Sequence, residues 1–182
     1  MEAVKKPTFR TAELAYIALG AALITVCAWI TVPFAVPFTL QLFAVYLALI
    51  LLGGRDGTVA VAVYLLLGAV GIPVFSGFKG GFSALIGPTG GYLWGMLPIG
   101  AAYWAGTRLF GKKLPVEILS SVLGTLLCYS LGTAVFAAQS ADYGFFAALS
   151  VCVLPFLLPD AAKLALALLL GRRLKKALPT AF

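Results

Sequence analysis

Between Thr11 and Val32 the chain carries one charged residue, Glu13, in an otherwise apolar run. An α-helix rises about 1.5 Å per residue, so such a run covers the roughly 30 Å of hydrocarbon in a bilayer. The pattern recurs over Phe38–Leu52, Gly57–Val70, Gly90–Thr107, Val116–Ala138 and Phe145–Leu170. The second run is short, but Pro37 and Gly53-Gly54 bound it. The last is too long for one straight crossing and contains Pro155 and Pro159, residues that break or start helices. It divides into an outer-side segment, Phe145–Leu154, and a crossing helix, Pro159–Lys176. The expected fold is an all-α membrane protein with six transmembrane helices in a compact bundle, one integral membrane domain over residues 1–182. Composition agrees: 10% of residues are charged, against about 25% in soluble domains. The basic, then apolar N-terminus resembles a signal peptide. Its apolar run is too long for a signal core and lacks a small-x-small cleavage site, so it is read as a retained first span.

The net charge of +7 would suggest nucleic acid in a soluble protein. Here the placement of charge suggests a membrane instead. Lys5, Lys6 and Arg10 precede the first span, and Arg55 separates the second from the third. Arg108, Lys112 and Lys113 separate the fourth from the fifth, and Arg172, Arg173, Lys175 and Lys176 follow the sixth. Of the 13 basic residues, all but Lys79 and Lys163 therefore fall on one face. The positive-inside rule makes that face, and both termini, cytoplasmic. No nucleic-acid partner is expected.

The opposite connections are unusual. Pro33–Pro37 is short and uncharged, Gly71–Thr89 is long, apolar and glycine-rich, and Phe145–Leu154 is apolar. Loops of this kind are expected to fold onto the bundle as a lid or plug, because irregular backbone at membrane depth must pack on protein or line a cavity. The halves show no repeat, which weighs against an inverted-repeat transporter. There is no histidine, and Cys27, Cys128 and Cys152 lie in apolar runs without metal-site spacing; they read as small buried hydrophobes. Neither metal nor cofactor is expected, and hydrolytic chemistry has no machinery.

Asp160 and Lys163 interrupt an apolar stretch, PFLLPDAAK. Their i,i+3 spacing puts them on one helix face. Asp160 precedes Arg172 by roughly 18 Å of helix, so both charges lie well inside the hydrocarbon layer, where charges pair and face the interior. A ligand site, a structural ion pair and, for Asp160, an N-cap after Pro159 are all compatible with that. GPTGGYL, Gly87–Leu93, allows close backbone approach, either to a ligand or merely in a tight turn. Thr39 and Gln41 open the second helix, as a cap or as polar ligand contacts. Ala15, Ala18 and Ala22 form a small-residue face suited to close helix packing, within the bundle or with a partner. Glu2, Glu13, Asp56, Glu117 and Asp142 fall near the expected interfaces and read as solvated boundary charges.

The order PFTLQ, GIPVFSGFKGGF, GPTGGYL, PFLLPDAAK resembles the BioY family, the biotin-specific substrate-binding (S) components of energy-coupling factor (ECF) transporters, over about Phe9 to Leu174. The resemblance implies the S-component fold in a prokaryotic cytoplasmic membrane, with biotin bound on the outer side. It implies that Asp160 and Lys163 are polar contacts to biotin, that the first loop is a lid, and that the loop before the fourth helix is a site wall. It further implies that Ala18 and Ala22 dock a membrane scaffold subunit, which joins two cytoplasmic ATPases.

Biotin's chemistry suggests roles within that frame. Asp160 would accept from the ureido N–H groups and Lys163 would donate to the ureido carbonyl. Thr39, Gln41 or backbone N–H groups around Ser76, Gly77 and the residues to Gly81 would take the carboxylate tail. Phe34, Phe75, Phe78 and Tyr92 would pack on the bicycle. The chain has no nucleotide-binding motif, so active uptake needs a partner, and no enzymatic activity is expected. The alternative is a proton-coupled small-molecule transporter with Asp160 as relay.

Overall fold

A computed structural model describes residues 11–32, 36–140 and 144–177. Among these residues α1 (Thr11–Trp29) leads into an antiparallel hairpin, β1 (Thr31–Val32) and β2 (Phe38–Thr39), with Thr31 opposite Thr39. Then follow α2 (Gln41–Leu52), α3 (Gly54–Ala69) and, after a 3-10 turn at Ser76–Phe78, the short α4 (Phe82–Ile86). The chain continues through α5 (Gly90–Phe110), α6 (Leu114–Gln139), α7 (Phe145–Cys152), a second 3-10 turn at Leu154–Phe156, and α8 (Leu157–Ala177).

Local chemistry sets these boundaries. The Thr39 hydroxyl accepts the Gln41 amide at 3.2 Å, at the start of α2. Gly53, at φ +87°, ends α2 and lets α3 begin at the next residue, a conformation closed to most side chains. Pro155 sits inside the second 3-10 turn and Pro159 in the first turn of α8, where a missing N–H removes no helical bond.

Three segments are long and apolar enough to cross a bilayer: Thr11–Trp29, Leu114–Gln139 and the combined stretch Phe145–Ala177. Their outer faces are apolar as well, as at Leu119, Leu123, Leu158 and Leu169, all exposed. Water would penalise such faces and hydrocarbon does not, as expected of a multi-pass integral membrane protein. The second apolar run begins later than its sequence suggests, because Phe38 and Thr39 are strand. At 12 residues α2 is about 18 Å long, short of a full crossing. It does not need lipid around it: Ala44 to Ile50 are all buried, and α1, α3, α5 and α8 enclose it.

α5 and α6 approach each other closely. A Cβ on Gly124 would lie 2.5 Å from Ile99 Cα, and one on Gly95 would lie 2.8 Å from Cys128 Cα. Small residues thus bring two backbones together, the main route to helix adhesion in lipid.

One sequence expectation is corrected here. Glu117 is not a solvated boundary charge; it is 4% exposed. Its carboxylate accepts the Tyr103 hydroxyl at 3.0 Å and two Arg172 donors, Nε at 3.1 Å and Nη2 at 2.6 Å. The first turn of α6 points inward at this position, and the long arginine reaches back from α8 to neutralise it.

Gly124→Ala should overpack the α5–α6 contact and destabilise the purified protein by about 1–3 kcal/mol. The thermal midpoint in detergent measures this, with Gly144→Ala, whose Cβ would meet nothing within 4 Å, as the neutral control.

Candidate functional site

The start of α2, the connection from Phe75 to Thr89, the first turns of α5, the middle of α6, the end of α7 and the start of α8 surround a cavity of about 490 Å³. That is a volume typical of small-molecule sites. Phe75, Leu93, Met96 and Phe156 give it apolar walls, and Thr39, Gln41, Ser76 and Tyr92 add polar groups.

Asp160 and Lys163 form its floor, at 4% and 7% exposure. Lys163 Nζ donates to Asp160 Oδ1 at 2.7 Å, and the Tyr129 hydroxyl donates to Asp160 Oδ2 at 2.6 Å. The ammonium also lies 4.1 Å from the centroid of the Phe38 ring, which stacks on Phe156. A buried carboxylate needs such partners on both oxygens, since an unpaired charge in a low dielectric is strongly disfavoured. Two donors do not exhaust the carboxylate's lone pairs, and one bond leaves the ammonium with further donors. The floor therefore offers an acceptor and a donor side by side, suited to a ligand group with adjacent N–H and C=O.

The remaining sequence candidates fall into two sets. Thr39, Gln41, Phe75, Ser76 and Tyr92 line the cavity together with the charged pair. Gln41 Nε2 donates to the Tyr64 hydroxyl at 2.8 Å, which fixes its amide. Phe75 is buried edge-on to Tyr64 and lies over Gly68, where a Cβ would overlap the ring. The Ser76 hydroxyl pairs with that of Thr31 at 2.9 Å, tying the wall loop to the hairpin. The Tyr92 ring rests on Gly132, and its hydroxyl meets Thr133 at 3.1 Å. Gly77 and Phe78, by contrast, do not line the cavity. Gly77 makes the turn at φ +70°, and this sends Phe78 outward onto Trp29, with ring centroids 4.9 Å apart. Phe34 lies outside the described residues. Ala18 and Ala22 do not line the cavity and are exposed on α1.

The glycine-rich motif both packs tightly and borders the cavity. Gly90 packs against the Leu85 carbonyl and Gly91 against Val135, while Gly87, Pro88 and Thr89 line the cavity. Tyr129 went unmarked in the sequence. The available signal was a tyrosine within a membrane span, whose hydroxyl must find a partner. Cys128 and Cys152 are buried, as expected, and also reach the cavity wall. Among the described residues no group of three potential metal ligands comes together.

Lys163→Ala should leave Asp160 charged and half-satisfied, destabilising the ligand-free protein by about 3–5 kcal/mol. Asp160→Asn combined with Lys163→Met should recover most of that loss, as read from thermal midpoints in detergent.

Comparison with known proteins agrees with this geometry. The model of the BioY family matches residues 2–180. The biotin transporter BioY of Thermotoga maritima is 45% identical over 85% of this chain and 90% of its own length. A probable biotin transporter BioY of Pyrococcus horikoshii is 42% identical over 90% and 96%, respectively. In structure, the chain is similar to the S-component for biotin from an ECF-type ABC transporter, with a TM-score of 0.80, 27% identity and 90% of each chain covered. With the family's model matching nearly the whole chain and close relatives covered over most of their length, the chain belongs to the BioY family.

Proposed function

We propose that the cavity binds biotin from the outer side and that the chain is the S component of an ECF-type biotin transporter in a prokaryotic cytoplasmic membrane. It binds and delivers its ligand rather than transforming it. The observation that carries this reading is the Tyr129–Asp160–Lys163 floor inside the 490 Å³ cavity. Biotin's ureido head has two N–H donors flanking one carbonyl. Asp160 accepts from the N–H groups and Lys163 donates to the carbonyl. Phe75 and Tyr92 pack on the bicycle, and Thr39, Gln41 and Ser76 add polar contacts along the wall.

Six spans, with both termini on the cytoplasmic side, fit the one-sided distribution of basic residues. α2 and α3 are then two short crossings joined at Gly53. A scaffold subunit docks on the exposed small-residue face of α1 at Ala18 and Ala22, since small residues allow close approach in lipid. Two cytoplasmic ATPases bound to that scaffold supply the energy. The proton-relay alternative draws no support from a carboxylate already ion-paired at 2.7 Å.

The test is equilibrium binding of biotin to the purified protein. Asp160→Asn should weaken it by about 100-fold or more, because one member of a desolvated charged pair is removed. Tyr129→Phe should weaken it by about 10- to 100-fold, the worth of a hydrogen bond to a charged group. Unchanged affinity in Asp160→Asn would overturn the assignment of the floor. In cells, uptake should persist when the proton gradient is collapsed and ATP maintained; loss under those conditions would favour the relay.

A further inference from the structure

Among the described residues, three charged side chains line the cavity: Asp160, Lys163 and Lys79. The first two neutralise each other at 2.7 Å. Lys79 does not share in that neutrality. It is exposed, and its side chain has no ion pair or hydrogen bond among the described residues. Among the described residues, the lined space therefore carries one positive charge with no counterion.

The placement of Lys79 is fixed even though its ammonium is free. Its carbonyl accepts the Phe75 amide at 2.9 Å, which closes the loop around the 3-10 turn. Two residues on, the Gly81 amide donates to the Gly68 carbonyl at 2.7 Å. Between these anchors Gly80 passes so close to the Ile72 and Gly71 carbonyls that a Cβ would overlap them. The loop is thus pinned to the end of α3, and it holds the stem of Lys79 beside the cavity. Lys79 also runs against the charge pattern of the chain. Apart from Lys163, every other basic residue falls in the segments assigned to the opposite face. An isolated cation there, on a pinned loop at the mouth of a cavity with a neutral floor, calls for a ligand that brings the missing charge.

We propose that Lys79 is the specificity residue that receives an anionic group at the cavity mouth, so that the site selects a ligand with one negative charge. This rests on the biotin reading above and assigns the ligand's orientation: ureido head on the Asp160–Lys163 floor, carboxylate tail at Lys79. Lys79 contributes through its charge at the rim, whereas the floor recognises the head whatever the tail carries.

The experiment compares biotin with biotinol, whose tail ends in a neutral alcohol, on the full-length protein in detergent. The parent should prefer biotin by about 10- to 100-fold, the range of a hydrogen bond to a charged group. Lys79→Ala should bind biotinol as the parent does, which also reports an intact fold, and should bind biotin no better than biotinol. Lys79→Arg should keep the preference. A Lys79→Ala protein that still prefers biotin to the parent's extent overturns the assignment of Lys79 and leaves biotin as the ligand. A parent that binds neither compound overturns the biotin reading and this inference together.

Discussion

The ion pair between Asp160 and Lys163 sets the terms for everything around it. A single charge at this depth would be unfavourable by about 2.5–3.5 kcal/mol on insertion scales. Two charges become tolerable when they pair, and here Tyr129 donates to the second carboxylate oxygen while the Phe38 ring, backed by Phe156, lies over the ammonium. Those partners come from α6, the hairpin and the turn before α8. Satisfying one pair therefore brings three separate stretches of chain to one point. It also explains the break at Pro155 and Pro159. A continuous helix from Phe145 would carry Asp160 mid-span; the 3-10 turn instead starts a new helix at Leu157 and puts the aspartate in its first turn, near the helix's positive end.

The short α2 is the second consequence. Helices that face lipid must be long and apolar, whereas a helix enclosed by other helices need only be packed. α2 gives up length, and the space above its start is taken by the cavity and the hairpin. Gln41 at its first position is consequently a wall residue, held by Tyr64 from α3.

Much of this was legible in sequence because membrane insertion is nearly a one-dimensional problem. Runs of apolar residues ended by glycine, proline or clustered charge mark α1, α3, α5 and α6 to within a few residues of where they lie. The charged pair stands out for the same reason: a charge within an apolar run has few innocent explanations. What the sequence concealed depends on which way a side chain turns. Glu117 sits at a span boundary, and only helix rotation decides that it faces Tyr103 and Arg172 instead of water. Phe75 and Phe78 are three residues apart in one glycine-rich loop; one is buried and the other exposed, because Gly77 reverses the chain between them. Tyr129 is a tyrosine among leucines until α8 is placed opposite it.

Glu117 and Tyr129 acquire a further meaning together. They lie twelve residues apart on α6, and their partners Arg172 and Asp160 lie twelve residues apart on α8 in the reverse order. Two antiparallel helices are thereby cross-linked at two points, about 18 Å apart at 1.5 Å per residue. One-residue slippage of either helix would rotate its side chain by about 100° and break both links at once. Long side chains, Tyr129 and Arg172, make both cross-links, so the helices are held in register without needing to touch along their whole length. Tight glycine contacts lie elsewhere, as between α5 and α6, where backbones meet at Gly95 and Gly124. That division explains how a chain of 182 residues keeps a cavity open within a membrane bundle. Helix pairs such as α5–α6 supply close-packed adhesion, and polar struts link α6 to α8 at the cavity floor and below it.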